Sequence, residues 1–314
     1  MTPNRLLPDL AAHAEATAHT LAPACGSCTA VTLADRPDAT VVRHAGTVAK
    51  AHPPDSVPAD LVPRLTAAAR LPGLLLPPLT PAPADLHGRL VSYWPYGRPV
   101  DPADPDAAPW EEAAALLAGL HRTPAPAGLP AMRGPVKAAR AVKRLRSATA
   151  APRAAATAVL RAWDTVPAWA RAEAPQPVPG ALCHGDFHLG QLVRHPAPDG
   201  PWLLIDVDDL GTGVPAWDLG RPAAWYACGL LPPDEWSRFL AAYRAAGGTA
   251  VPAAGDPWPA LEVPARALTV QTAARAVTKA QEEGRPLDEA EQCLVDACDR
   301  MVPVPPELAQ GSPK

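Results

Sequence analysis

His184-Gly185-Asp186-Phe187-His188-Leu189-Gly190-Gln191 and, further on, Ile205-Asp206-Val207-Asp208-Asp209 decide how this chain is read. The apolar run Trp202-Leu203-Leu204-Ile205 leads directly into Asp206, so this carboxylate stands at the end of an expected strand. Asp186 and Asp206 thus place two acids, twenty residues apart, each beside apolar sequence. Phosphoryl transfer needs one carboxylate to accept a hydroxyl proton and another to hold Mg²⁺ against phosphates. A lone His-Gly-Asp triplet carries little information. The ordered set that adds Asp218, twelve residues after Asp206, is far more specific.

The rest of the chain bounds the setting. Its 314 residues suffice for one large domain or two lobes sharing a cleft, and a 48% hydrophobic fraction supports a substantial core. The 43 prolines, with abundant Ala and Arg, reflect GC-rich coding as much as structure, so single prolines are weak turn signals here. A net charge of −4 gives no reason to expect a nucleic acid partner. The first residues lack a basic segment followed by an apolar run, so no secretory signal is expected. No uninterrupted apolar run of about 18 residues occurs, so no membrane span is expected either. A cytoplasmic location follows as the expectation. The six cysteines do not form a dense disulfide framework. Cys25 and Cys28 make a CxxC with no second Cys pair or His pair at zinc-finger spacing, so reduced, structural thiols are expected.

Hydrophobic periodicity predicts a helix over 5–22, strands over 30–33, 40–44 and 47–51, a helix over 56–71 and a strand over 89–94. Leu74-Leu75-Leu76 reads as near another strand. The Pro- and Asp-rich segment 98–109 reads as a connector. Beyond it, helices are predicted at 110–122, 135–150, 152–172, 216–229, 233–247, 259–283 and 286–300. Only one short strand pair, near 190–194 and 202–206, is expected there. The predicted division is a nucleotide-binding lobe over 1–97, a helical lobe over 98–305 and a disordered tail over 306–314.

A small sheet, a connector, then a helical region carrying His-Gly-Asp and Ile-Asp-Val-Asp resembles the aminoglycoside phosphotransferase and choline kinase-like family, small-molecule relatives of the protein kinases. The resemblance is specific over about 180–225 and weaker at 40–50 and 89–122. It implies an α+β fold of two lobes: a small antiparallel sheet, then a mostly helical lobe with the catalytic loop. It implies that Asp186 is the catalytic base and that Asp206 holds Mg²⁺. Gln191 stands where the kinase loop has an Asn. Its amide oxygen suits Mg²⁺, although the extra methylene moves that oxygen outward. This loop variant resembles the maltokinase and glucosamine kinase branch. Lys50, on the second strand of the hairpin, matches the lysine that contacts the nucleotide phosphates. No Glu occurs from 51 to 110 to pair with it; Asp60, or a carboxylate elsewhere, is left for that role. No glycine-rich loop covers the phosphates, and the backbone over 90–97 is read as the hinge, with Tyr93 or Trp94 near the adenine. Structural roles are implied for His184, which bonds the loop backbone, and for Asp218, which steadies the catalytic loop. His188, Asp208 and Asp209 are read as rim or substrate-facing groups. The last two are also read as a solvated acidic turn.

The basic run Arg133, Lys137, Arg140, Lys143, Arg144 and Arg146 reads first as a solvated helix face, or else as a patch for an anionic substrate group. Acids for binding an acceptor are available at Glu262, Glu282 and Glu283. The expected activity is transfer from ATP or GTP, with Mg²⁺, to a hydroxyl of a small molecule. An antibiotic is the first expectation, as self-resistance in a GC-rich actinobacterial source. The alternatives are a metabolic sugar or amino-sugar kinase and a nucleotide-binding pseudokinase.

Overall fold

The computed structural model describes residues 5–21, 28–36, 38–148, 154–177 and 180–301. Cys25 and the tail over 306–314 lie outside them.

The chain opens with helix α1 (Leu6–Leu21). Strands β1 (Ala30–Arg36), β2 (Ala39–His44) and β3 (Thr47–Ala51) then run antiparallel, and Ala45 and Gly46 make the β2–β3 turn. Helix α2 (Pro58–Arg70) follows. Pro58 does not distort it, because it occupies the first turn, where a missing N–H costs nothing. Strands β4 (Ala84–Leu86) and β5 (Arg89–Pro95) complete a sheet of order β1-β2-β3-β5-β4. Alternation along β3 and β5 divides their side chains between two faces. Ala49, Ala51, Val91 and Tyr93 pack with Leu10 and Ala14 of α1.

Beyond the sheet come β6 (Arg98–Pro99), α3 (Trp110–Arg122), α4 (Gly134–Ala148), α5 (Ala154–Asp164), β7 (Ala181–Cys183), β8 (Leu192–Arg194), β9 (Trp202–Leu204) and β10 (Gly211–Gly213). Helices α6 (Ala216–Ala227), α7 (Pro233–Ala245), α8 (Trp258–Glu282) and α9 (Glu289–Arg300) complete the order. A core centred on α8, with residues of α4, α5 and α9, supports this half. Gly220 on α6 lets α8 approach closely: a Cβ there would lie 2.8 Å from Pro264 Cβ.

Several expectations need correction. The helix predicted over 152–172 ends at Asp164, because Pro167 disfavours helical geometry at the residue before it. Leu74–Leu76 do lie beside another strand, β9, where Leu75 bridges Leu204 and Leu76 N–H donates to the Leu204 carbonyl at 2.8 Å. The short strands β6, β7 and β10 were not anticipated. Cys28 is disulfide-bonded, against the expectation of reduced thiols, whereas Cys183, Cys228, Cys293 and Cys298 are free. Among the described residues, no helix is long and apolar enough to cross a membrane.

Candidate active site

Two hairpin registers assemble the site. Pairing of β7 with β10 sets Cys183 opposite Gly211, so the 184–191 loop starts beside the 205–210 segment. Pairing of β8 with β9 sets Leu192 opposite Leu204, and Ile205 N–H donates to the Gln191 carbonyl at 2.9 Å. Gln191 and Asp206 are therefore neighbours at the ends of adjacent strands.

Asp218 anchors the loop from the first turn of α6. Its carboxylate accepts from His184 N–H at 2.6 Å and Gly185 N–H at 2.8 Å, and it meets His121 Nε2 at 3.1 Å. His121 in turn meets the Tyr243 hydroxyl at 2.6 Å. His184 Nε2 donates to the Ile205 carbonyl at 2.8 Å, fastening the loop to the end of β9. Gly185 has φ +87°, and a Cβ there would collide with the Asp209 carbonyl oxygen, so the turn requires glycine.

Asp186 is 8% exposed and sits between two cations. Lys137 Nζ of α4 donates to Oδ2 at 2.5 Å, and the Arg221 guanidinium of α6 donates to Oδ1 at 2.9 Å. Burial alone would raise this carboxyl, but Lys137 and Arg221 outweigh it and hold Asp186 well below the usual carboxylate range. His188 shapes the loop rim, with Nδ1 accepting from Gly190 N–H at 3.1 Å. Burial, reinforced by Arg221 against the pull of Asp186, pushes its imidazole down to about 4.

Asp206 adopts left-handed backbone geometry, φ 64° and ψ 77°, uncommon for a residue other than glycine and a recurrent mark of functional sites. A short 3₁₀ turn over Val207–Asp209 then splays the next two acids apart. Lys50 Nζ lies 2.6 Å from Asp206 Oδ1 and 2.9 Å from Asp208 Oδ2. Asp208 also meets His52 Nδ1 at 2.6 Å; His52 Nε2 meets Ser92 Oγ at 2.7 Å, and Trp94 Nε1 donates to the same oxygen at 2.7 Å. Burial opposes the Lys50 charge, yet the two carboxylates raise its pKa above the ordinary lysine value. Asp208 is thus taken up by Lys50 and His52 and is not a solvated turn. Asp209 is buried and faces the other way, 2.9 Å from Lys137 Nζ, and burial pushes its carboxyl up.

The aromatic pair separates. Tyr93 belongs to the α1 face, where its hydroxyl meets His13 Nδ1 at 3.0 Å, so strand alternation removes it from the nucleotide set. Trp94 shares the Lys50 face but is buried in the main core. Asp60 is exposed and pairs with no lysine; the acids beside Lys50 come from the 206–208 segment. Of the basic run, Arg140 and Arg146 make exposed ion pairs with Asp55 and Asp164, and Lys143 and Arg144 are exposed, but Lys137 reaches into the site.

Arg221 and His52 carry no reading from sequence, and Lys137 is read there only within the basic run, as a solvated face or an anionic-substrate patch. Arg221 follows Asp218 by three on a helix, and His52 follows Lys50 by two, one residue past the end of β3. Each therefore shares the face of a residue already in view. Lys137 had no such local signal.

A magnesium ion fits the donor set. Gln191 Nε2 and Asp206 Oδ2 lie 3.4 Å apart, so the amide and the carboxylate converge on one point. Which end of an amide faces its neighbour is an assignment, and a turned Gln191 presents its oxygen. Two oxygens sharing an octahedral Mg²⁺ stand about 3 Å apart, close to this separation.

These features define the class: a small-molecule kinase of protein-kinase-like fold, with an antiparallel sheet before a mostly helical region. The sequence profile of the phosphotransferase enzyme family matches residues 38–261, and the chain belongs to that family. No curated protein matches the chain in sequence. A choline/ethanolamine kinase family protein from Mesorhizobium loti is similar in structure, with TM-score 0.60 and 16% identity over 96% of this chain and 97% of that one. The spectinomycin phosphotransferase APH(9)-Ia, solved with ADP and spectinomycin, is similar with TM-score 0.55 and 14% identity over 87% and 93%. The macrolide 2'-phosphotransferase MphH from Brachybacterium faecium gives TM-score 0.51 and 20% identity over 94% and 99%.

Proposed function

We propose that this kinase uses ATP or GTP, with Mg²⁺, to phosphorylate a hydroxyl of an antibiotic, and that Asp186 is its base. The observation that carries the reading is the Asp186 carboxylate, buried yet held charged by Lys137 and Arg221. The acceptor hydroxyl donates to Asp186, which takes the proton as the oxygen bonds to the γ-phosphorus and the nucleoside diphosphate leaves. Lys50 contacts the nucleotide phosphates, exchanging part of its hold on Asp206 and Asp208 for them. Asp206 and Gln191 would hold Mg²⁺, which supplies charge neutralisation on the phosphates when bound. His184 and Asp218 keep the loop in place. Positioning and fixed charge account for most of the rate, as phosphoryl transfer needs little covalent help.

Spectinomycin and macrolide phosphotransferases among the structural relatives support an antibiotic acceptor. One observation keeps the sugar kinase reading in view. The Lys137 ammonium already holds Asp186 and Asp209, so a neutral sugar hydroxyl can meet Asp186 without bringing a counter-charge. The experiment is a nucleotide-turnover screen with Mg²⁺ and ATP or GTP. Its acceptors are a macrolide, spectinomycin, hygromycin B, choline, ethanolamine, maltose and glucosamine. The proposal expects ADP or GDP release with an antibiotic. Turnover with maltose or glucosamine alone would transfer the enzyme to sugar metabolism. Turnover with choline or ethanolamine alone would overturn both acceptor readings.

A further inference from the structure

Three donor atoms meet at the edge of the sheet, away from the catalytic loop. His19 stands in the last turn of α1, Cys28 just before β1 and His44 at the end of β2. Their side chains converge although no local sequence spacing relates them. Cys28 Sγ lies 3.3 Å from His19 Nε2 and 3.2 Å from His44 Nε2, and all three donors lie within 4.8 Å of one another. The two imidazoles meet edge to face, with ring centroids 5.0 Å apart.

The His44 imidazole carries the argument. It is 2% exposed, and its Nδ1 has no partner among the described residues. Its Nε2 points at a sulfur, a weak hydrogen-bonding group. A metal ion on Nε2 replaces that weak sulfur contact with a strong bond and leaves Nδ1 as it is. The distances suit one. Zinc–sulfur and zinc–nitrogen bonds at a tetrahedral angle put sulfur and nitrogen about 3.6 Å apart, a few tenths of an ångström beyond what is seen. Sulfur with two imidazoles selects a borderline-soft divalent ion and not Mg²⁺.

We propose that the reduced protein binds one zinc-class divalent ion through His19 Nε2, Cys28 Sγ and His44 Nε2. The disulfide at Cys28 and the metal exclude each other. A dithiol reductant delivers two electrons and two protons to that disulfide, giving two cysteine thiols, and is itself oxidised to a disulfide. Metal binding then displaces the thiol proton of Cys28. The bound ion ties the end of α1 to the end of β2, in the hairpin that also carries Lys50. A disulfide oxidant, taking two electrons and two protons and leaving as two thiols, re-forms the Cys28 disulfide and releases the ion.

The test uses the full-length protein, reduced, stripped with a chelator and titrated with Co²⁺ under anaerobic conditions. The expected result is one equivalent bound, with a thiolate-to-cobalt charge-transfer band and the d–d bands of tetrahedral cobalt, both displaced by Zn²⁺. Cys28→Ser should abolish the charge-transfer band. His19→Ala and His44→Ala should each weaken binding at least ~10-fold. Nucleotide binding, unchanged across the variants, certifies that each is folded; half-buried His19 keeps the test open if the buried His44 variant is not. Absence of the band in the reduced wild-type protein overturns the proposal. So does an affinity that His19→Ala leaves unaltered in folded protein.

Discussion

Asp186 takes its character from two residues distant in sequence, Lys137 and Arg221, which hold both of its oxygens. Removing Lys137 leaves burial less opposed, so the Asp186 pKa must rise. Lys137→Met is therefore predicted to shift the acid limb of the kcat/KM profile to higher pH, since the base is protonated earlier on acidification. A pH–rate comparison of the two proteins checks this, and an unmoved limb would contradict it. His188 gives a stability prediction. Its folded pKa, about 4, lies below the ordinary 6.5, so the unfolded chain binds more protons between those values. Stability gained from this neutral imidazole is complete above about pH 6.5 and is lost as pH falls toward 4. His188→Ala should flatten that part of the stability–pH curve, as measured by denaturant titration. At this scale the sequence yielded the acids but not their partners. Asp186, Asp206 and Asp218 sit in a compact ordered motif, whereas Lys137 lies on a helix 49 residues before the acid it touches.

At the scale of elements, one buried carboxylate takes two N–H groups of the 184–191 loop. Asp218 accepts two loop N–H groups and faces His121, all withdrawn from water. Asp218→Ala orphans these donors together. It is predicted to cost about 3–5 kcal/mol of unfolding free energy, read by chemical denaturation, and to lower turnover with the loop. A loss below about 1 kcal/mol would mean that other contacts hold the loop. Long elements were legible because their periodicity runs over many residues: α1, α3 and the β2–β3 hairpin lie within a residue or so of their predicted bounds. Strands β7 and β10 were not, because three residues show no alternation and their pairing is set by distant contacts. Tyr93 shows the same limit from another side. Its strand was evident, but which face meets α1 depends on packing that only the fold reveals.

On the scale of the whole molecule, Lys50 and His52 of the sheet region grip Asp206 and Asp208 of the helical region. These ion pairs supply the carboxylate elsewhere that the sequence, lacking a Glu over 51–110, left as one partner for Lys50. They also bring the lysine proposed to contact nucleotide to the acid proposed to hold the metal. His52→Ala frees Asp208 from one of its partners and is predicted to raise the nucleotide KM several-fold while leaving kcat nearly unchanged. Steady-state kinetics with saturating acceptor reads the split. A fall in kcat at constant KM would instead place His52 in the chemical step. The family match over residues 38–261 and the solved relatives agree on the scaffold.

The most direct measurement is turnover and nucleotide affinity of Asp186→Asn beside the wild-type protein, with an acceptor found in the screen. The amide keeps the shape of the carboxylate and cannot take the proton. The account predicts a fall in kcat of ~10²–10⁴-fold with nucleotide Kd unchanged. Turnover within about threefold of wild type would contradict the assignment of Asp186 as the base.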